Sequence, residues 1–85
     1  MIYHVCVIRD RAIDAFGVPI FVAAIGQAVR SFTDEVNRKG EGNQMNMHPE
    51  DFDLYVLGTY NGDLGTFDAA SPRQIAIGKD VYVSQ

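Results

Sequence analysis

The sequence predicts a small α+β domain, an antiparallel sheet with one helix packed on one face, in the order β-β-α-β-β followed by further short strands. Three features predict this class. Residues 2–8 and 52–60 are rich in β-branched and aromatic side chains, residues 24–38 carry a helical apolar stripe, and Asn61-Gly62 suits a tight hairpin turn. With 85 residues, the chain is expected to form a single domain over 1–85 with one modest core.

The N-terminal segment predicts a hairpin. Ile2 to Ile8 is apolar at both alternating positions, which is typical of a strand with partners on both faces. We expect it to be a central strand or to lie at a contact between subunits. Phe16 to Val22 is a second extended segment, and Pro19 places it at a sheet edge or at the start of a strand because proline donates no ladder hydrogen bond. This segment should return beside the first strand after a loop at residues 11–14.

A single helix is predicted from about Ala24 to Arg38. Its apolar side chains recur at intervals of three and four residues and should pack on the sheet as one stripe, formed by Ile25, Ala28, Val29, Phe32 and Val36. Residues 41–47 are polar and contain glycine, so we predict a loop there, and it is the best candidate for a mobile segment.

The clearest strand follows Pro49. It should begin near Phe52, because the residues after that point suit a pleated, buried surface. The turn at Asn61-Gly62 should then pair Tyr55 to Leu57 antiparallel with residues around Thr66-Phe67.

Beyond this hairpin, Ser71-Pro72 is interpreted as a turn, with short strands at residues 73–77 and 81–83. One helix can cover only one face of the resulting sheet, yet the first strand and the strand after Pro49 are apolar on both faces. A second copy of the chain is the simplest cover for the other face, so we predict a homodimer.

The overall charge is acidic, with eleven Asp and Glu residues against seven Lys and Arg residues and a net charge of −4. This balance argues against a protein that binds nucleic acid through its overall electrostatic field, and it leaves open a local basic patch.

The lone cysteine, Cys6, lies in an apolar run, so we predict that its thiol is buried and inert. No apolar run reaches the roughly 20 residues that span a bilayer, and the N-terminus has no signal-peptide pattern, so we expect a soluble, cytoplasmic protein.

Sequence motifs for catalysis or cofactor binding are missing. There is no His/Cys metal spacing, no Gly-x-Ser-x-Gly and no Gly-rich phosphate loop, so we predict neither an enzyme nor a metal or cofactor site. His48 is expected to hydrogen-bond a neighbouring carboxylate. Glu50, Asp51 and Asp53 are expected to form a solvated entry to the strand, since nothing nearby would hold their pKa values apart.

Arg9-Asp10-Arg11 follows the first strand and has two interpretations. It is either a solvated turn with an internal ion pair, or a pair of arginines presented to phosphate, because guanidinium matches phosphate oxygens in a bidentate manner. If the strand continues, Arg9 and Arg11 point to one side and Asp10 to the other. Replacing both arginines by alanine should then weaken DNA binding and leave the thermal midpoint nearly unchanged.

Four segments together resemble a known family in order and spacing. They are Arg9-Asp10-Arg11, Phe16 to Phe21, Ala28 to Asp34 and His48 to Tyr60. The chain from Tyr3 to about Phe67 resembles the small nonstructural protein of gokushoviruses and related microviruses, bacteriophages with single-stranded DNA genomes. The resemblance implies a protein made in the cytoplasm of the infected bacterium, regarded as DNA-binding and thought to act in genome replication or in the switch to packaging.

Two functions remain open. In the first, the chain binds single-stranded DNA through arginines that converge beside exposed tyrosines, since such binding combines a basic track with stacking rings. The candidate residues are Arg9, Arg11, Arg30, Arg73, Tyr3, Tyr55 and Tyr60. In the second, the chain is a homodimeric interaction factor for phage or host replication proteins, with the rings buried between subunits and the arginines paired with acids. Phe16 and Phe21 are expected to serve packing rather than base stacking.

Overall fold

The structure, a computed structural model, describes residues 1–83 and confirms the α+β class. One five-stranded antiparallel sheet carries the main helix on one face. In chain order the elements are β1 (Ile2–Asp10), β2 (Ala15–Phe16), β3 (Ile20–Val22), α1 (Ile25–Asn37), α2 (Gln44–Met47), a 3-10 turn (Pro49–Asp51), β4 (Phe52–Asn61), β5 (Thr66–Ile77) and α3 (Gly78–Val81). Within residues 1–83, no helix is both long and apolar enough to cross a membrane.

The predicted N-terminal hairpin is confirmed. Along one side, β1 pairs antiparallel with β2, where Arg9 lies opposite Phe16, and with β3, where Val5 lies opposite Phe21. Along its other side, β1 pairs with the whole of β4. The first strand is therefore central in the sheet, as its apolar pattern predicted.

The β4–β5 hairpin forms at the predicted turn, but its register differs from the prediction. Asn61 lies opposite Thr66, and Tyr55 lies opposite Gln74 instead of residues 66–67. The predicted pairing was wrong because it left residues 58–65 outside the ladder, whereas the two strands stay paired up to Asn61 and Thr66. The Asn61 side chain accepts hydrogen bonds from two backbone N–H groups of the turn, at 2.9 and 3.1 Å, and Gly65 closes the turn with a φ of 67°.

β5 continues through Ser71-Pro72, where the sequence predicted a turn. The ladder passes from the Val56–Arg73 pair to the Gly58–Ala69 pair, so the proline lies in a bulge where no ladder donor is required. Pairing with the neighbouring strand therefore overrides the local preference of a Ser-Pro pair for a turn.

The predicted strand at residues 81–83 was also wrong, because α3 ends at Val81 and the residues after it are not in a strand. A side chain of α1 takes up the backbone groups of this segment instead. Asn37 Nδ2 donates to the Val81 carbonyl at 2.9 Å, and Asn37 Oδ1 accepts from the Val83 N–H at 2.7 Å. The end of the described chain is thus tied to the main helix.

The helix α1 spans Ile25–Asn37, one residue shorter at each end than predicted. Its stripe is confirmed as the face that packs on the sheet, since Ala28, Phe32 and Val36 are buried, and Ile25 and Val29 pack at the edge of the core. The sheet side of the core consists of Cys6, Phe52, Leu54 and Val56. Cys6 is fully buried, as predicted, and burial raises the pKa of its thiol.

The predicted loop after α1 is partly helical and carries a buried side chain. Asn43 Nδ2 donates to the carbonyls of Glu35 and Arg38 at 3.0 and 2.7 Å, and Asn46 Nδ2 donates to the Val36 carbonyl at 2.9 Å. The polar side chains that suggested a loop therefore satisfy the last carbonyl groups of α1. Mobility of this segment stays a prediction.

A bulge in β4 changes which of its side chains share a face. The pairing with β1 passes from Cys6–Val56 directly to Val5–Gly58, which leaves Leu57 as an extra residue. Before the bulge, the even-numbered residues of β4 face α1. After it, the even-numbered residues face away from α1.

Candidate nucleic-acid interface

Most of the predicted site residues lie on the sheet face opposite α1, which we call the open face. Along β1, the side chains of Cys6 and Ile8 pack in the core beneath α1. Because side chains alternate along a strand, the odd-numbered residues of β1 point to the opposite face. The ladder pairs then give the residues of the open face as Tyr3, Val5, Val7, Arg9, Phe16, Phe21, Asp53, Tyr55, Tyr60 and Phe67. Val5 and Val7 are buried on this face, so part of it is closed within one chain, without the second copy that the sequence suggested.

Four rings form an aromatic cluster at one end of the open face: Tyr3, Phe21, Tyr60 and Phe67. Tyr60 is at the centre, with its ring centroid 6.4 Å from that of Tyr3, 5.6 Å from Phe21 and 5.0 Å from Phe67. Phe21 and Phe67 are more than half exposed. The aromatic cluster therefore presents ring surface to solvent, on which a planar group can stack.

A second group of rings lies at the opposite end of the open face and includes a cation. Phe16 and Tyr55 meet edge to face at 5.5 Å, and Arg9 Cζ lies 5.5 Å from the centre of the Phe16 ring. Arg9 Nη2 donates to Asp14 Oδ1 at 2.6 Å, and this hydrogen bond raises the pKa of Arg9. The Asp14 side chain is 82% exposed, so water weakens this pair and a phosphate can take the place of the carboxylate.

Arg11 has a structural partner. Its Nε donates to Asp53 Oδ2 at 2.9 Å, and its Nη2 donates to the Glu50 carbonyl. The Asp53 side chain is only 3% exposed, so the prediction that it lies in a solvated strand entry was wrong. Asp53 lies opposite Arg9 in an interior strand, where both neighbouring strands exclude water. Because Arg11 compensates a buried charge, we no longer expect replacing both arginines to leave the thermal midpoint unchanged.

Arg30 and Arg73 lie away from the open face. Arg30 is exposed on α1. Arg73 lies opposite Val56, whose side chain packs beneath α1, so Arg73 belongs to the helix side of the sheet. The structure therefore places five of the predicted residues on the open face, in two separate groups. Arg9, Arg11 and Tyr55 lie at one end, and Tyr3 and Tyr60 lie at the other, so the arginines meet only one of the three predicted tyrosines.

Sequence reasoning missed the phenylalanines of the open face. Phe16 and Phe21 were assigned to packing, although their strands pair with β1 and leave both rings partly exposed. The position of Phe67 could have been predicted from the sequence, because a turn over residues 62–65 places Phe67 opposite Tyr60. The register of the hairpin was therefore the information needed to find the aromatic cluster.

A group of possible metal ligands lies at the 3-10 turn. His48, Glu50 and Asp51 bring one ligand atom each to within 4.8 Å of one another. His48 Nδ1 lies 3.7 Å from Glu50 Oε1, which is within the range of an ion pair but longer than the hydrogen bond that we expected. Both of these side chains are exposed, and exposed acidic groups of this kind are common without an ion. The arrangement therefore does not indicate a metal centre.

Comparison with known proteins gives the family. The family model described as Phage ORF5 protein matches residues 3–81. No curated protein and no solved structure gives a significant match. The matched region includes every residue of the open face. The chain belongs to the Phage ORF5 protein family.

Proposed function

We propose that this phage protein binds single-stranded DNA through its open face, in the cytoplasm of the host bacterium, during genome replication or the switch to packaging. In this proposal it belongs to a gokushovirus or a related microvirus, as the sequence resemblance implies, and it works without catalysis or a cofactor. The observation that carries the proposal is the presence of rings at both ends of the open face, with Arg9 beside one of them. Single-strand binding combines such rings with cations that meet the backbone.

The rings of the aromatic cluster would take separate bases. Phe21, Tyr60 and Phe67 are tilted against one another by 42–48°, so they offer several ring surfaces rather than one continuous stack. A strand bound here has its bases splayed apart, which single strands allow because their bases are unpaired. Each stacked base contributes about 1–3 kcal/mol.

The electrostatic contribution to binding is small. The net charge of −4 opposes the approach of a phosphate backbone, and Arg9 and Arg11 already have carboxylate partners. Arg9 exchanges its partner most readily, because Asp14 is exposed. With these two arginines as the phosphate contacts, the slope of log K against log salt is expected to be about −1.4, on roughly 0.7 per phosphate for single strands.

Fluorescence anisotropy with labelled oligothymidine at low salt tests this proposal. Phe67→Ala should weaken binding by about fivefold or more, because one stacked base is lost. Leu64→Ala is the matched control, since Leu64 is an apolar side chain of the same hairpin that is 73% exposed, against 65% for Phe67, and it carries no ring. The proposal fails if the wild-type protein does not bind, or if Phe67→Ala binds as tightly as Leu64→Ala.

A homodimeric interaction factor for phage or host replication proteins is the second candidate function. Two observations favour it. Val18 and Phe67 are exposed near a cavity of about 270 Å³ whose walls include Val5, Pro19 and Leu57. In addition, three arginines of residues 1–83 form ion pairs with acidic side chains. The pairs are Arg9 with Asp14, Arg11 with Asp53 and Arg38 with Glu35.

Sedimentation velocity at micromolar concentration separates the two functions. A dimer that Phe67→Ala dissociates, together with oligothymidine binding that the same substitution leaves unchanged, would favour the interaction factor. A compact monomer would exclude the homodimer.

A further inference from the structure

A cavity of about 230 Å³ opens at the end of the open face where the arginines lie. Its walls are formed by Arg11, Asp53, Tyr55, Gln74, Ile77 and Lys79. Sites for drug-sized ligands typically measure about 300–1,000 Å³, so this cavity suits a single ring-sized group. The side chains around it combine one carboxylate, one amide, one aromatic ring and two cations.

The carboxylate of Asp53 has hydrogen-bonding capacity left over. Its Oδ2 accepts from Arg11 Nε, but its Oδ1 is buried and has no hydrogen-bond donor among residues 1–83. Arg9 Nε, on the residue directly opposite in the ladder, is buried and likewise without a partner in that part of the chain. A buried carboxylate oxygen without a donor lowers stability, and an N–H donor from a ligand would restore the lost hydrogen bond.

Arg11 covers this carboxylate without being locked in place. Its side chain is 46% exposed, whereas that of Asp53 is 3% exposed. A guanidinium forms bidentate hydrogen bonds with phosphate as it does with carboxylate, so the backbone of a bound strand can draw Arg11 away from Oδ2. Lys79 is exposed at the same cavity and keeps its surroundings positive when Arg11 turns away.

We propose that this cavity is a subsite for one guanine base, an inference that rests on the proposed binding of single-stranded DNA. The Watson–Crick edge of guanine carries two adjacent donors, N1–H and the exocyclic amino group, which match the two oxygens of Asp53. Adenine and cytosine each place a ring-nitrogen acceptor beside their amino group, and thymine places carbonyl oxygens on both sides of its N–H. Each of these bases therefore sets an acceptor against the carboxylate. Gln74 donates its amide N–H to guanine O6, and the Tyr55 ring supplies an aromatic wall.

The test compares the anisotropy of labelled oligothymidine with that of the same oligonucleotide carrying one central guanine. The guanine strand should bind about fivefold more tightly or better, the ratio expected from one well-formed bidentate base contact. Inosine, which lacks the exocyclic amino group, should lose most of this preference. 7-Deazaguanine keeps the Watson–Crick edge and should retain it.

The outcomes separate this inference from the function on which it rests. Equal binding of the two strands overturns the guanine subsite and leaves single-strand binding intact, whereas no binding of either strand removes both. A preference that disappears with 7-deazaguanine also overturns the inference, because an arginine would then be reading the other edge of the base.

Two substitutions test the residues. Asp53→Asn replaces one acceptor by a donor and should abolish the guanine preference. Gln74→Ala removes an exposed side chain, so it should fold normally and reduce the preference, and it decides the matter if Asp53→Asn does not fold. Thr66→Ala, on the same strand and outside the cavity, should keep the wild-type ratio. The inference is wrong if Gln74→Ala also keeps that ratio.

Discussion

Arg11→Ala should lower the free energy of unfolding by about 2–3 kcal/mol, although Arg11 lies at the surface. The substitution leaves the Asp53 carboxylate, which is 3% exposed, without its ionic partner, and it also removes the hydrogen bond to the Glu50 carbonyl. Removing one partner of a fully buried pair costs about 3–5 kcal/mol. We expect less here because the Arg11 side chain is 46% exposed, so water screens the pair and hydrates part of the site after the substitution.

Urea denaturation at neutral pH, followed by circular dichroism, measures this loss. Arg38→Ala is the matched control, because Arg38 pairs with Glu35 one helical turn away and both side chains are well exposed. The control should change the midpoint very little. Combining Arg11→Ala with Asp53→Asn should recover part of the stability, since no unpaired charge then remains buried. The reasoning is refuted if Arg11→Ala costs no more than Arg38→Ala, or if the double variant shows the sum of the two single losses.

Two further predictions concern the strands. Gly58→Ala should destabilise the protein by about 1–3 kcal/mol, because Gly58 has a φ of 140° and an added Cβ would collide with the Asp68 carbonyl; a urea midpoint equal to that of wild type would contradict this. Cys6 should react with a thiol reagent far more slowly in the native protein than in denaturant, and its rate should rise with pH, because burial raises the pKa of the thiol and the thiolate is the reactive form; equal rates in the two states would show that the thiol is accessible.

Local sequence rules were sufficient to predict those elements whose conformation depends on residues close in the sequence. The stripe through Phe32 fixed the buried face of α1, because helix periodicity needs no knowledge of the partner. Asn61-Gly62 located the hairpin turn for the same reason. Pro72 shows the limit of such rules, because a Ser-Pro pair favours a turn on its own, but the pairing of β5 with β4 keeps it within a strand.

The candidate site was only partly predictable, because its electrostatics depend on residues far apart in the sequence. Asp53 follows two other acids, a pattern typical of a solvated segment. Its partner Arg11 lies just beyond the C-terminal end of β1, about 40 residues earlier in the sequence. Similarly, the sequence identifies Arg73 as a cation but does not show that α1 lies on its side of the sheet. The burial of Asp53 and the sheet face on which Arg73 lies therefore become clear only from the three-dimensional structure.

The extra residue in β4 also bears on how members of this family can differ in length. Val56 and Gly58 already lie opposite consecutive residues of β1, so deleting Leu57 would give a regular ladder in which Tyr60 still lies opposite Tyr3. Adding or removing a residue in the turn over 62–65 leaves Tyr60 on its face. Chains related to this one should therefore vary in length at that turn and at the position of Leu57, and keep Tyr60 opposite Tyr3.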